Sequence, residues 1–170
     1  MDDYKRKLIA IAQYLKANSL LLSTAESCTA GQMISLLASV PGAGQLLESG
    51  YVVYSPEAKQ RILHVSAQTI EEHGLTSEQV ALEMAHGALK GGPATVAIAT
   101  TGVAGPNSID GIAPGTVCFA WLFALGSLCA SFTHTHHFDG DRLDVQIAAS
   151  LYALEQIQHL HWKASSGGGR

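Results

Sequence analysis

A chain of 170 residues, 47% hydrophobic and 14% charged with a formal net charge of −4, has the make-up of one domain with a well-filled core. Its ten Lys and Arg are scattered and form no basic stripe, which argues against a nucleic-acid partner. No apolar run reaches the roughly 18–20 residues of a membrane span. The polar Met1-Asp2-Asp3-Tyr4 start and the widely spaced Cys28, Cys118 and Cys129 argue against a signal peptide, a disulfide framework and a thiolate zinc site, so a reducing cytoplasm is expected.

In chain order, Leu8, Ile9, Ala12 and Leu15 recur at helical spacing and predict an amphipathic helix over 4–17. Leu20 to Thr24 reads as a short buried strand. A helix is predicted from Thr29 to about Ala38, and Pro41-Gly42-Ala43-Gly44 as a loop. Gly50 to Tyr54 is rich in β-formers. Ser55-Pro56-Glu57 then opens a helix, with Ser as cap, Pro at the first helical position and Glu at the positive end. A short helix framed by Ser66 and Gly74 follows, then a longer one over 76–90.

Thr95 to Thr100 is a predicted strand, and TGVAGP (101–106) a Gly-rich turn after it, followed by loop over 107–112. Gly115 to Leu125 and Leu128 to Phe138 form a hairpin through Gly126-Ser127, and a last helix covers 141–161. This alternation predicts a three-layer α/β/α fold with a mixed, mostly parallel sheet. The expected organisation is a single domain over 1–163 and a flexible tail over 164–170, where SSGGGR begins at 165.

Residues 24–31, 54–59 and 101–106 all follow predicted strands, and in open α/β sheets ligands bind beyond the carboxyl ends of strands. Ser27 sits just before a predicted helix start, where it is either an N-cap or a nucleophile with unpaired amides nearby. Cys28 is a rival nucleophile or a small buried side chain. Lys59, in YSPEAK, is either a solvated surface lysine or a base made neutral by burial and the helix N-terminus. Tyr54 ends the strand beside it. In TGVAGP, the Thr101 hydroxyl and backbone amides suit a phosphate or carboxylate, although no Walker lysine follows. His134, His136 and His137 lack the ligand set of a metal site, so a structural or exposed role is expected. Arg142, at the start of the last helix, follows a capping Asp139 or Asp141 and has a planar fork suited to phosphate.

Taken together and in this order, TAESCTAG (24–31), VPGAG (40–44), GYVVYSPEAK (50–59), TTGVAGP (100–106), PGTV (114–117) and FDGDR (138–142) resemble the CinA C-terminal domain family, the nicotinamide-nucleotide amidases. The resemblance spans about residues 5–160. It implies hydrolysis of the nicotinamide mononucleotide carboxamide to nicotinate mononucleotide and ammonia, with no cofactor or metal and with a homodimer expected. Ser27 would be the nucleophile, Lys59 the base and Tyr54 an assistant. Thr29, Gly31, Thr101, Gly102, Gly105 and Arg142 would hold the small-molecule nucleotide substrate, and Glu26 would orient its ribose or the loop itself. Three positions depart from the family pattern: Ala30 for Gly, Pro56 for Asn and Gln146 for Arg. Ala30 is expected to crowd the approach of substrate, and Gln146 to remove an anion partner. The departures leave open a hydrolase of another small amide, or a nucleotide-binding relative without turnover.

Overall fold

The computed structural model describes residues 3–167. In chain order the helices are α1 (Asp3–Ala17), α2 (Gln32–Ala38), α3 (Pro56–Leu63), α4 (Ala67–His73), α5 (Glu78–Lys90) and α6 (Arg142–Gly167). The strands are β1 (Leu22–Glu26), β2 (Leu47–Val52), β3 (Val96–Val103), β4 (Thr116–Leu125) and β5 (Leu128–His137), and a 3-10 turn over Ala43–Leu46 occupies part of the expected 41–44 loop. They form one sheet in the order β2-β1-β3-β4-β5. The β1 pairings with β2 and β3 are parallel, while the β3–β4 and β4–β5 pairings are antiparallel. Only β4 therefore runs against the rest, and the fold is the expected mixed α/β/α arrangement.

The period-2 alternation of the central strands fills two unlike cores. Val96 and Ile98 of β3, with Val117, Phe119, Trp121 and Phe123 of β4, pack against α1, α2 and α6. The alternate residues Ala97, Ala99, Cys118, Ala120 and Leu122 face α3 and α5. Large side chains fill the first face, each worth about 1.5–3 kcal/mol when fully buried. On the second face small residues meet Ala81, Ala85 and Ala88 of α5, so that helix lies close to the sheet. The α3–α5 contact is closer still: a Cβ on Gly87 would stand 2.2 Å from the Leu63 carbonyl oxygen, so this position requires glycine.

Several boundaries differ from the sequence expectation. The first strand runs to Glu26 rather than Thr24, and the third continues through Val103 into the predicted Gly-rich turn. Strand β2 starts at Leu47 and ends before Tyr54, and α2 begins at Gln32 rather than Thr29. The last helix extends to Gly167, so the predicted flexible tail is helical from 164 to 167, and its final residues 168–170 lie outside the described residues. Burial of Leu160 and Ala164 against the first core carries the helix past its expected end. Among the described residues no helix is long and apolar enough to cross a membrane.

The chain leaves β1 through α2 on one face of the sheet, and reaches β3 through α3, α4 and α5 on the other. The two neighbours of β1 are thus approached from opposite sides. Loops after β1 and β3 diverge there and leave a crevice at the strand ends.

Candidate active site

That crevice is a cavity of about 200 Å³. Ser27 and Cys28 enter it from the end of β1, Tyr54 and Lys59 from the start of α3, and Thr101 to Gly105 from the end of β3. Arg142 from α6 and Asp110 from the loop before β4 complete the charged lining.

Ser27 is held by its own backbone. Its N–H donates to the Thr100 carbonyl at 3.0 Å, and its carbonyl accepts from Ala30 N–H at 3.2 Å, closing a turn over Cys28 and Thr29. The two central amides of that turn, Cys28 and Thr29, donate to no other residue among those described. Both follow Ser27 directly in the chain.

Lys59 is 1% exposed. It lies on the inward face of α3, one turn before buried Leu63, and the Ser55 cap with Pro56 at the first position starts that helix. Its Nζ is 3.0 Å from Ser27 Oγ, 3.0 Å from the Val53 carbonyl oxygen and 2.9 Å from the Tyr54 carbonyl oxygen. An ammonium group donates to all three. A neutral amine keeps two donors for the two carbonyls, which can only accept, and its lone pair is left facing the Ser27 hydroxyl. Burial holds the Lys59 pKa below the ordinary lysine value, which favours the neutral form. The exposed-surface reading of Lys59 is thereby removed.

Cys28 is pushed up to about 12 by burial. It stays a thiol at physiological pH, so burial counts against a thiolate nucleophile here.

Other expected site residues take different places. Glu26 is fully buried and accepts from Thr24 Oγ1 at 3.1 Å, Thr29 Oγ1 at 2.8 Å, Met33 N–H at 3.1 Å and Ile34 N–H at 3.1 Å. It caps the N-terminus of α2 from inside the sheet. Thr29 Oγ1 donates to Glu26 and lies 2.8 Å from Thr100 Oγ1, so its only hydroxyl proton is committed to the carboxylate and Thr100 becomes the donor to it. Gly31 is the N-cap of α2 at φ 88. None of Glu26, Thr29 and Gly31 lines the cavity; Glu26 and Thr29 support the Ser27 turn from behind, which is the loop-orienting alternative expected for Glu26. The amides at the start of α2 are bonded to Glu26, and the free donors lie in the turn ahead of the helix.

Tyr54 contributes its carbonyl to Lys59, while its side chain is 54% exposed and lines the cavity. Thr101 is buried and donates its hydroxyl to the Leu75 carbonyl at 2.8 Å. Gly102 presses against β4, where a Cβ would meet the Thr116 carbonyl oxygen at 2.4 Å. Arg142 Nη1 donates to the Gly105 carbonyl at 2.7 Å, which ties α6 to the TGVAGP segment and leaves other guanidinium donors open.

Of the three departures, Ala30 is exposed and does not line the cavity; its cost is a left-handed φ of 57. Pro56 fits the first turn of α3 as expected. Gln146 donates from Nε2 to the Cys28 carbonyl at 3.0 Å, holding the Ser27 turn against α6. His134 and His136 pack with Tyr152, and among the described residues no three His, Cys, Asp or Glu side chains gather as a metal site. Asp110 escaped the sequence reading. It lies in the 107–112 stretch expected only as loop, and the Ile109–Ile112 pairing that closes it into a hairpin appears only in the fold.

The fold and this geometry define an α/β domain with a buried lysine set against a serine at the strand ends. Residues 6–161 match the model of the CinA C-terminal domain, and the chain belongs to that family. It is 39% identical over 148 residues to the nicotinamide-nucleotide amidohydrolase PncC of Escherichia coli (strain K12), covering 86% of this chain and 88% of that protein. It is 40% identical over 160 residues to protein YdeJ of the same strain, covering 94% and 91%. Among solved structures, a CinA superfamily protein from Escherichia coli superposes with a TM-score of 0.85 at 38% identity, covering 94% of this chain and 93% of that one. A competence or damage-inducible protein from Enterobacter asburiae superposes at 0.87 with 36% identity, covering 94% and 98%.

Proposed function

We propose that this chain is an amidohydrolase that releases ammonia from nicotinamide mononucleotide, with Ser27 as nucleophile and Lys59 as base. The observation that carries the reading is the buried Lys59 Nζ, 3.0 Å from Ser27 Oγ, with its other two contacts taken by carbonyls. The likeness to PncC, an enzyme named for this class of substrate, supports the choice of amide.

In this reading neutral Lys59 takes the Ser27 proton as Oγ bonds to the carboxamide carbon. The Cys28 and Thr29 amides receive the oxyanion, each donor worth about 3–4 kcal/mol in comparable sites. Lys59 passes the proton to the departing nitrogen, which leaves as ammonia. Water then attacks the acyl-enzyme with Lys59 again as base, releasing nicotinate mononucleotide and restoring Ser27. Arg142 supplies a remote contact to the phosphate, which positions the carboxamide.

Ammonia release from nicotinamide mononucleotide is the test. Ser27→Ala and Lys59→Ala should each lower kcat/KM by about a thousandfold or more. Turnover that survives in both variants would remove the pair from the mechanism.

A further inference from the structure

The cavity holds three ionisable side chains of interest, Lys59, Arg142 and Asp110, and the reaction above uses only two of them. Lys59 is committed to Ser27 and two carbonyls. Arg142 gives one donor to Gly105 and keeps the rest for an anion. The third is Asp110, an exposed residue that lines the same cavity and whose carboxylate forms no hydrogen bond or ion pair with any described residue. In particular it does not pair with Arg142. An anion and a cation that share a small cavity without pairing are complementary to a ligand carrying both charges, set apart.

The position of Asp110 is built into the backbone. Ile109 N–H donates to the Ile112 carbonyl at 3.2 Å, and Ile112 N–H returns a bond to the Ile109 carbonyl at 2.9 Å. The two residues between have φ 51 at Asp110 and 76 at Gly111, as a type I′ hairpin turn demands. This closed turn presents the carboxylate without help from an ion pair. The exposed ring of Tyr54 lines the same cavity, and an aromatic face also attracts a cation.

A nicotinamide nucleotide has the matching charges. Its oxidised ring is a pyridinium cation and its phosphate is an anion. The reduced, 1,4-dihydro form keeps the carboxamide, ribose and phosphate, but its ring is neutral. We propose that Asp110 is a specificity-determining residue whose carboxylate selects the cationic ring of the oxidised nucleotide over the neutral ring of the reduced one. This inference rests on the nicotinamide-nucleotide reading of the site.

Binding to Ser27→Ala protein, by calorimetry, separates ring recognition from turnover. Oxidised and reduced nicotinamide mononucleotide are compared with Asp110 intact and in Asp110→Asn. Asparagine tolerates the positive φ, so the hairpin should persist, and an unchanged melting temperature would verify it. The expected result is a roughly tenfold rise in Kd for the oxidised nucleotide, with the reduced one changed by less than about twofold. Asp110→Glu should restore part of the preference. Equal weakening of both forms would assign Asp110 to hairpin shape and overturn the proposal, as would no change in either. If neither form binds while Asp110 is intact, the nicotinamide-nucleotide reading itself fails, an outcome visible before the Asp110 variants are compared.

Discussion

A lysine with 1% exposure is costly, and its neighbours show why it stays. Two carbonyls and a hydroxyl meet its nitrogen, but no carboxylate lies among its contacts to stabilise the charge. Burial lowers the Lys59 pKa from the ordinary 10.5. Below that value the unfolded chain binds more of this proton than the folded one, so stability rises with pH between the lowered pKa and 10.5. Replacing Lys59 by Met removes that dependence. In urea titrations across pH, Lys59→Met should look most favourable relative to wild type at the acid end of the window, and lose ground as pH rises toward 10.5. A difference that stays flat with pH would contradict the buried neutral lysine. The catalytic counterpart has the same sign: kcat/KM should rise with pH as Lys59 loses its proton, along a limb below the ordinary lysine range. In the sequence, Lys59 was one reading of two, because YSPEAK shows a helix start but not what covers the fourth helical position.

At the scale of elements, the Ser27 turn depends on how β1 hands over to α2. Glu26 is a strand residue whose side chain bends back to cap the following helix, so both elements are tied to one carboxylate. Glu26→Ala would strand the Met33 and Ile34 amides in a buried place and leave a void. The expected loss is about 2–4 kcal/mol, read as a lower urea midpoint, with activity falling alongside. A shift under about 0.5 kcal/mol would show that the cap is dispensable. Ala30 in the same junction occupies a left-handed φ, which costs an L-residue about 1–2 kcal/mol. Sequence pattern placed the helix start three residues early here. Small polar residues such as Ser27 and Thr29 suit a cap and a turn equally, and only the Glu26 contacts decide between them. The α3 start, by contrast, was legible, since Ser, Pro and Glu each favour their position for local reasons.

For the molecule as a whole, the site exists because β1 sits between β2 and β3. That order brings the ends of residues 22–26, 47–52 and 96–103 together, although they are distant in sequence. A ligand that binds this crevice only in the folded state stabilises the whole domain by mass action. With Ser27→Ala protein at 100 times Kd, nicotinamide mononucleotide should add about 2.7 kcal/mol, which is roughly 5–10 °C in melting temperature for a chain of this size. No shift at saturating nucleotide would count against the proposed ligand.

The order of amino acids is enough for the layer architecture, the five strands to within a few residues, the capped start of α3 and the family. These follow from periodicity, turn chemistry and ordered motifs, which are local and survive without knowledge of the fold. Where each ambiguous polar residue ends up is a matter of the fold. It buried Glu26 and Thr29 behind the cavity, set Lys59 against Ser27, turned Gln146 onto the Cys28 carbonyl and brought Asp110 to the wall. Each of these outcomes depends on desolvation and on partners from elsewhere in the chain, and neither quantity is a property of a residue and its near neighbours in sequence.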